Sequence, residues 1–127
     1  MINYFVNPFE KLDVWKLAHQ FTLNIYKITS SFPKDEKFSL VDQIRRSSSS
    51  IAANIVEGNE KKSNKEFLQF LYTAKGSLAE TKYFLILSRD LQYLTIQDYE
   101  KLLINADNIG KMINGLMKYL RLKINKD

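Results

Sequence analysis

No cysteine occurs in the 127 residues. Disulfide staples and thiolate chemistry are excluded, and the fold must rest on a buried apolar core. Proline occurs twice and glycine four times, which is little turn material for a many-stranded β fold and favours long helices. His19 is the only histidine, so the paired Glu-x-x-His motifs of a di-metal carboxylate bundle cannot be assembled. The longest unbroken apolar run is Phe84 to Leu87, extended to Tyr83 if tyrosine is counted. A membrane span needs roughly 20 such residues. Met1 to Phe9 offers neither a basic n-region nor a long apolar core, so no secretory signal is read there. The expectation is one soluble, cytoplasmic domain covering residues 1–127.

Acid is also in short supply. Nineteen basic residues stand against fourteen acidic ones, giving a net charge of +5. Such a balance permits a polyanionic partner without demanding one.

The strongest positive signal is periodicity. Val14, Ala18, Phe21, Ile25, Ile28 and Phe32 alternate steps of four and three. So do Val41, Ile44, Ser48, Ile51 and Ile55, then Phe67, Leu71, Ala74, Leu78, Thr81, Leu85 and Ser88, and finally Leu102, Ala106, Ile109, Ile113, Leu116 and Leu120. A small or apolar residue every 3.5 positions gives a helix one stripe that can face neighbours in slightly supercoiled packing. Boundary signals fall at the ends of the stripes. Asn7-Pro8-Phe9-Glu10 offers a cap, a proline at the first helical position and an acid. Ser39 with Asp42, Ser63 with Glu66 and Thr95 with Asp98 repeat a hydroxyl-x-x-acid box. Phe32-Pro33 and Gly58, the latter as a left-handed residue past a helix end, mark stops. The pattern predicts helices over roughly 9–31, 39–57, 63–91 and 95–122, with Asn125 to Asp127 as a fraying tail. Short connections make sequential helices antiparallel, an all-α, up-down-up-down four-helix bundle.

Some residues stand out from the stripes. Ser47 to Ser50 places four hydroxyls inside a predicted helix, readable as a phosphate or metal site or as close helix packing. Packing is favoured, with the Gly76 region of the third helix as its partner. Phe70, Ser77, Phe84 and Leu91 form a second line every seven residues on that helix. It makes helix three either the middle of the bundle or, as favoured here, a seam to another subunit, to which Trp15 and Tyr26 add aromatic surface. His19 reads as a surface or interface residue. Glu57 and Glu80 read as partners for Arg45 and Arg46 rather than as a catalytic carboxylate pair. Phosphate loops, dinucleotide fingerprints and metal-ligand spacings are absent from the sequence, so no enzyme, cofactor, metal or small-molecule substrate is expected. Basic residues gather as Arg45 and Arg46, as Lys61, Lys62 and Lys65, and as Lys118, Arg121, Lys123 and Lys126. No platform of exposed aromatics with arginine is legible.

The run Gln43-Ile44-Arg45-Arg46 through Ser50-Ile51, Ala53-Asn54-Ile55 and Glu57-Gly58 resembles the bacterial 23S rRNA intervening-sequence protein family. Lys61-Lys62-Ser63, Lys65-Glu66-Phe67, Phe70-Leu71, Ala74, Gly76-Ser77-Leu78, Glu80 and Tyr93-Leu94 continue the likeness, as does the opening Phe9, Leu12, Val14-Trp15 and Ala18. Ser47 and Ser48 stand where the family usually has alanine, Ala52 where proline is common, Thr81-Lys82 where Leu-Glu is common, and Gln92 where a glycine usually ends the third helix. The resemblance implies a left-handed up-down bundle assembling as a homopentamer. It also suggests a non-enzymatic role: binding RNA through Arg45, Arg46, Lys61, Lys62, Lys65, Lys118 and Arg121, or else serving as a scaffold for a protein partner. Trp15, Phe70, Ser77, Phe84 and Leu91 are the expected contacts between copies.

Overall fold

The computed structural model describes residues 8–126. Four α-helices account for most of them: α1 Asp13–Thr29, α2 Leu40–Asn59, α3 Asn64–Asp90 and α4 Ile96–Lys126. Short 3-10 turns, Pro8–Lys11 and Lys34–Glu36, precede α1 and α2, and no strand occurs among the described residues. The stripes become the core. Phe21 and Ile25 from α1, Ile44, Ile51 and Ile55 from α2, Leu71 and Leu85 from α3, and Ile109 and Ile113 from α4 are all fully buried. Each such side chain contributes about 1.5–3 kcal/mol by leaving water. The stripe of α4 differs in one step. After Ile113 the buried residue is Met117, while Leu116 is only half-buried.

Consecutive helices pack on one another, α1 also meets α4, and the backbones of the diagonal pairs stay apart. The arrangement is therefore a square of four. Neighbours run antiparallel, because partner numbers fall on one helix as they rise on the other. Thr29 meets Arg45 and Thr22 meets Ser48, Ser47 meets Thr81 and Ser50 meets Ser77, Lys82 meets Asp107 and Tyr72 meets Arg121.

The ends depart from the predicted boundaries for local reasons. Asn7, the expected cap of the first helix, lies outside the described residues. Pro8 opens the 3-10 turn, and α1 begins only after Leu12 (φ −74°, ψ 124°), with Phe9 set edge-on to Trp15 at 5.3 Å. At its far end, Thr29, Ser30 and Ser31 donate their hydroxyls to the carbonyls of Ile25, Lys27 and Ile28, and α1 stops at Thr29 rather than 31. The boxes at Ser63 and Thr95 form as expected, each hydroxyl accepting at 3.1 Å from the N–H three residues on. The Ser39 box does not. Its hydroxyl donates to Glu36 at 2.6 Å, and Asp42 pairs with Arg46 instead. The fourth helix runs past 122 to Lys126, since no breaker interrupts it, and Asp127 lies outside the described residues.

Two glycine readings are corrected. Gly58 is not a left-handed stop: no glycine among the described residues has a positive φ, and α2 continues through it to Asn59. A Cβ there would lie 2.7 Å from Phe67 and 2.9 Å from Phe70, so Gly58 marks a close approach of α3. Gly76, assigned that part from sequence, is exposed, and a Cβ on it would meet nothing within 4 Å. The left-handed position is Gln92 (φ 64°), immediately after α3 and its cap Leu91.

Candidate nucleic-acid interface

The serine run lies against α3 and α1, and all of it but Ser49, whose hydroxyl donates to carbonyls of its own helix, is used by packing. Ser47 and Ser48 are buried. The Thr81 hydroxyl donates to Ser47 at 2.8 Å, Ser50 and Ser77 share a bond of 2.9 Å, and the Thr22 hydroxyl donates to the Ser48 carbonyl at 3.1 Å. Among the described residues no buried side-chain polar atom lacks a partner, so these hydroxyls leave no unsatisfied lining for a phosphate or metal. No group of three or more His, Cys, Asp or Glu that could hold a metal occurs among those residues either.

The basic residues separate into two regions. Arg45 is half-buried and ties α2 to the end of α1: its Nε donates to Thr29 Oγ1 at 2.9 Å, Nη2 donates to the Tyr26 carbonyl at 3.2 Å, and the guanidinium lies 4.6 Å from the Tyr26 ring centroid. Arg46 pairs with Asp42 at 2.9 Å. The expected pairing of these arginines with Glu57 and Glu80 is not what forms. From Arg46 to the end of α2 is about 20 Å at 1.5 Å per residue, so the pair stands well away from Lys61.

The other two groups meet at the opposite end of the bundle. Lys61 and Lys62 lie in the α2–α3 connection and Lys65 in the first turn of α3. Lys118 and Arg121 lie on the closing turns of α4, which runs antiparallel to α3. All five are exposed, and none makes an ion pair among the described residues. Lys61 rests its Nζ 5.2 Å from the Phe70 ring, and Arg121 donates to the Tyr72 hydroxyl at 2.6 Å. Cations near a helix C-terminus also stabilise it through the macrodipole, and this accounts for part of the α4 group.

The contacts Thr22–Ser48, Ser50–Ser77 and Leu78–Gly110 define a plane across the middle of the bundle. Residues 22–49 and 78–110, on the side of the α1–α2 connection, hold eight cations and eight carboxylates. The whole excess of +5 therefore belongs to the rest of the chain. Within it, α3 up to Ser77 and α4 from Lys111 carry Lys65, Lys75, Lys111, Lys118, Arg121, Lys123 and Lys126 against Glu66 alone.

Among the described residues no comparable concentration of catalytic groups occurs. An open groove of about 510 Å³ between α1 and α4 is lined by Asn24, Lys27, Ile28, Asp98, Lys101, Leu102 and Asn105. It brings no nucleophile together with a base. His19 is exposed and stacks on Trp15 at 4.8 Å. The displaced ionisations lie at the neutral end. Burial and then the neighbouring Glu36 push the Tyr93 phenol up, and the hydrogen bond that Arg89 donates to the Asp90 carboxylate raises the guanidinium.

The expected contacts between copies are largely occupied within the chain. Ser77 bonds to Ser50, Phe70 lies against Gly58, Phe84 packs half-buried on the core, and Trp15 packs between Phe9 and His19; only Leu91 is exposed. The free apolar face of α3 is a different one, carrying Ala79, Tyr83 and Ile86. Lys82 and Asp107, 2.7 Å apart, fix the register with α4. Ile86 lies one turn beyond Lys82 and Ile104 one turn before Asp107, so the two exposed isoleucines stand at the same level. This face went unread because the steps of four and three from Ala79 to Tyr83 to Ile86 repeat the spacing of the core stripe.

Among proteins of known structure, the chain is similar to a protein of unknown function from the S23 ribosomal protein family of Bacteroides thetaiotaomicron VPI-5482. The two share 29% identity over 83% of this chain and 95% of the other, with a TM-score of 0.77. No curated protein matches the sequence. None of the described helices is long and apolar enough to cross a membrane. Residues 10–115 match the 23S rRNA-intervening sequence protein family, and with four helices of this order closing on one core the chain belongs to that family.

Proposed function

We propose that this protein is a non-enzymatic, cytoplasmic RNA-binding protein, and that it grips the phosphate backbone with the end of the bundle formed by Lys61, Lys62, Lys65, Lys118 and Arg121. The observation that carries the reading is the one-sided charge: one half of the bundle is neutral and the other holds the entire excess. Solubility alone needs no such segregation. Lysine and arginine without carboxylate partners release counterions from a nucleic acid when they neutralise its phosphates. Backbone contacts of this kind position a strand without reading its sequence.

Self-association belongs to the same reading. A homopentamer of left-handed bundles, as the family resemblance implies, would use the exposed Ala79, Tyr83, Ile86 and Ile104 face. Each copy of a cyclic ring presents the same end to the same side, so five modest patches add on one face. An interaction scaffold for a protein partner is the competing reading.

Fluorescence anisotropy with single-stranded RNA at increasing salt tests the proposal. Affinity falls with a log–log slope of about −0.7 per phosphate contacted. Lys61→Glu/Lys62→Glu and Lys118→Glu/Arg121→Glu each weaken binding and flatten the slope, whereas Arg46→Glu at the neutral end changes little. No binding at about 50 mM salt, or binding indifferent to both reversals, refutes it and leaves the scaffold.

A further inference from the structure

We infer that the basic end takes single-stranded nucleic acid in particular, by stacking bases on Tyr72 and Tyr119. The inference rests on the proposed polyanion binding and says what chemistry is added to it. Tyr72 (46% exposed, on α3) and Tyr119 (52% exposed, on α4) are large aromatic surfaces left in water beside Lys118 and Arg121. Each has a cation of its own: Arg121 at Tyr72 and Lys123 at Tyr119.

The geometry at Tyr72 leaves the ring usable. Arg121 Nη2 donates to its hydroxyl at 2.6 Å, yet the guanidinium carbon is 5.6 Å from the ring centroid. The arginines over Tyr26 and Tyr99 lie at 4.6 Å. Arg121 therefore sits beyond the hydroxyl edge rather than on the ring face. It holds the phenol in one orientation and keeps a free donor side for a phosphate. On α4, Arg121, Lys118 and Leu122 lie between Tyr72 and Tyr119 around the helix, so two cations stand between the two aromatic faces across its last exposed turns. A positively charged track interleaved with aromatic faces binds single strands, whose bases are free to stack; a duplex hides its bases and meets only the charge.

The test compares labelled oligouridine with an abasic strand of the same length and phosphate count, and with duplex RNA, by anisotropy on the full-length chain. The readout is the ratio of oligouridine to abasic affinity. The wild type prefers oligouridine by roughly 5- to 150-fold for each base stacked. Tyr72→Ala cuts the ratio about tenfold, and Tyr119→Ala cuts it further. Tyr72→Phe keeps the ring, loses the bond to Arg121, and retains a ratio above that of Tyr72→Ala. Circular dichroism melts confirm that each variant is folded. Equal affinity for oligouridine and the abasic strand, with charge reversal still abolishing both, overturns the stacking inference and leaves the phosphate reading standing. Failure of every strand to bind overturns both.

Discussion

Gly58 and Gly76 stand eighteen positions apart and are used in opposite ways. At Gly58 the added methyl of alanine would sit 2.7 Å from the Phe67 ring and 2.9 Å from the Phe70 Cβ, the second an inflexible neighbour. Gly58→Ala is expected to destabilise by about 1–3 kcal/mol through overpacking. At Gly76 nothing lies within 4 Å and the residue is helical and exposed. Gly76→Ala is expected to stabilise by about 0.5–1 kcal/mol, since alanine loses less backbone entropy in a helix. Urea melts of the two variants read both signs in one experiment. The same reasoning singles out Gln92, whose φ of 64° costs a side chain that glycine lacks. Gln92→Gly is expected to raise stability by up to about 1 kcal/mol in the same melts. Sequence reading found both glycines but gave Gly76 the close approach that belongs to Gly58, because composition shows that a Cβ is missing and not what stands opposite it. Gln92 was visible as a departure from the family's glycine; its backbone angle was not.

The elements themselves were legible where the signal was local and repeated. Heptad stripes and the Ser63 and Thr95 boxes depend on neighbours three or four residues away, and they survive into the structure. The Ser39 box failed because a competitor equally close in sequence on the other side, Glu36, took the hydroxyl. The α2–α3 seam lies between these cases. The serine run announced close packing, but its partners, Ser77 and Thr81, are supplied from about thirty residues away by the antiparallel register. Thr81 and Ser88 occupy buried stripe positions that a leucine could fill. With Ser47 opposite, Thr81 offers a hydroxyl whose one proton is shared between the Ser47 oxygen and the Ser77 carbonyl, each at 2.8 Å. Ser47→Ala alone deletes one partner of the pair, and Thr81→Val alone removes the other with little change of shape. The double variant is expected to cost less than the two single losses together, by about 0.5–1.5 kcal/mol, the net worth of a typical buried bond. Additive losses in a thermal double-mutant cycle would show that the seam is held by shape alone.

At the scale of the whole molecule, charge becomes informative only after folding. Lys61 and Lys118 are far apart in sequence, and neither group exceeds what a solvated helix end ordinarily carries. Folding brings both to one end and leaves the other neutral, which no linear count of charges could reveal. The proposed assembly and the proposed binding are coupled through this asymmetry. If copies meet through Tyr83, Ile86 and Ile104, a ring multiplies the charged end without altering a single cation. Tyr83→Asn/Ile86→Asn is expected to reduce the mass seen by light scattering to that of the 14.9 kDa chain. It should at the same time weaken RNA binding by about 100-fold or more, because second and later contacts cease to be intramolecular. The salt slope should shrink in step, since it counts phosphates engaged together. A variant that becomes monomeric yet keeps both affinity and slope would mean that one subunit supplies the whole surface, and that the ring serves some other end.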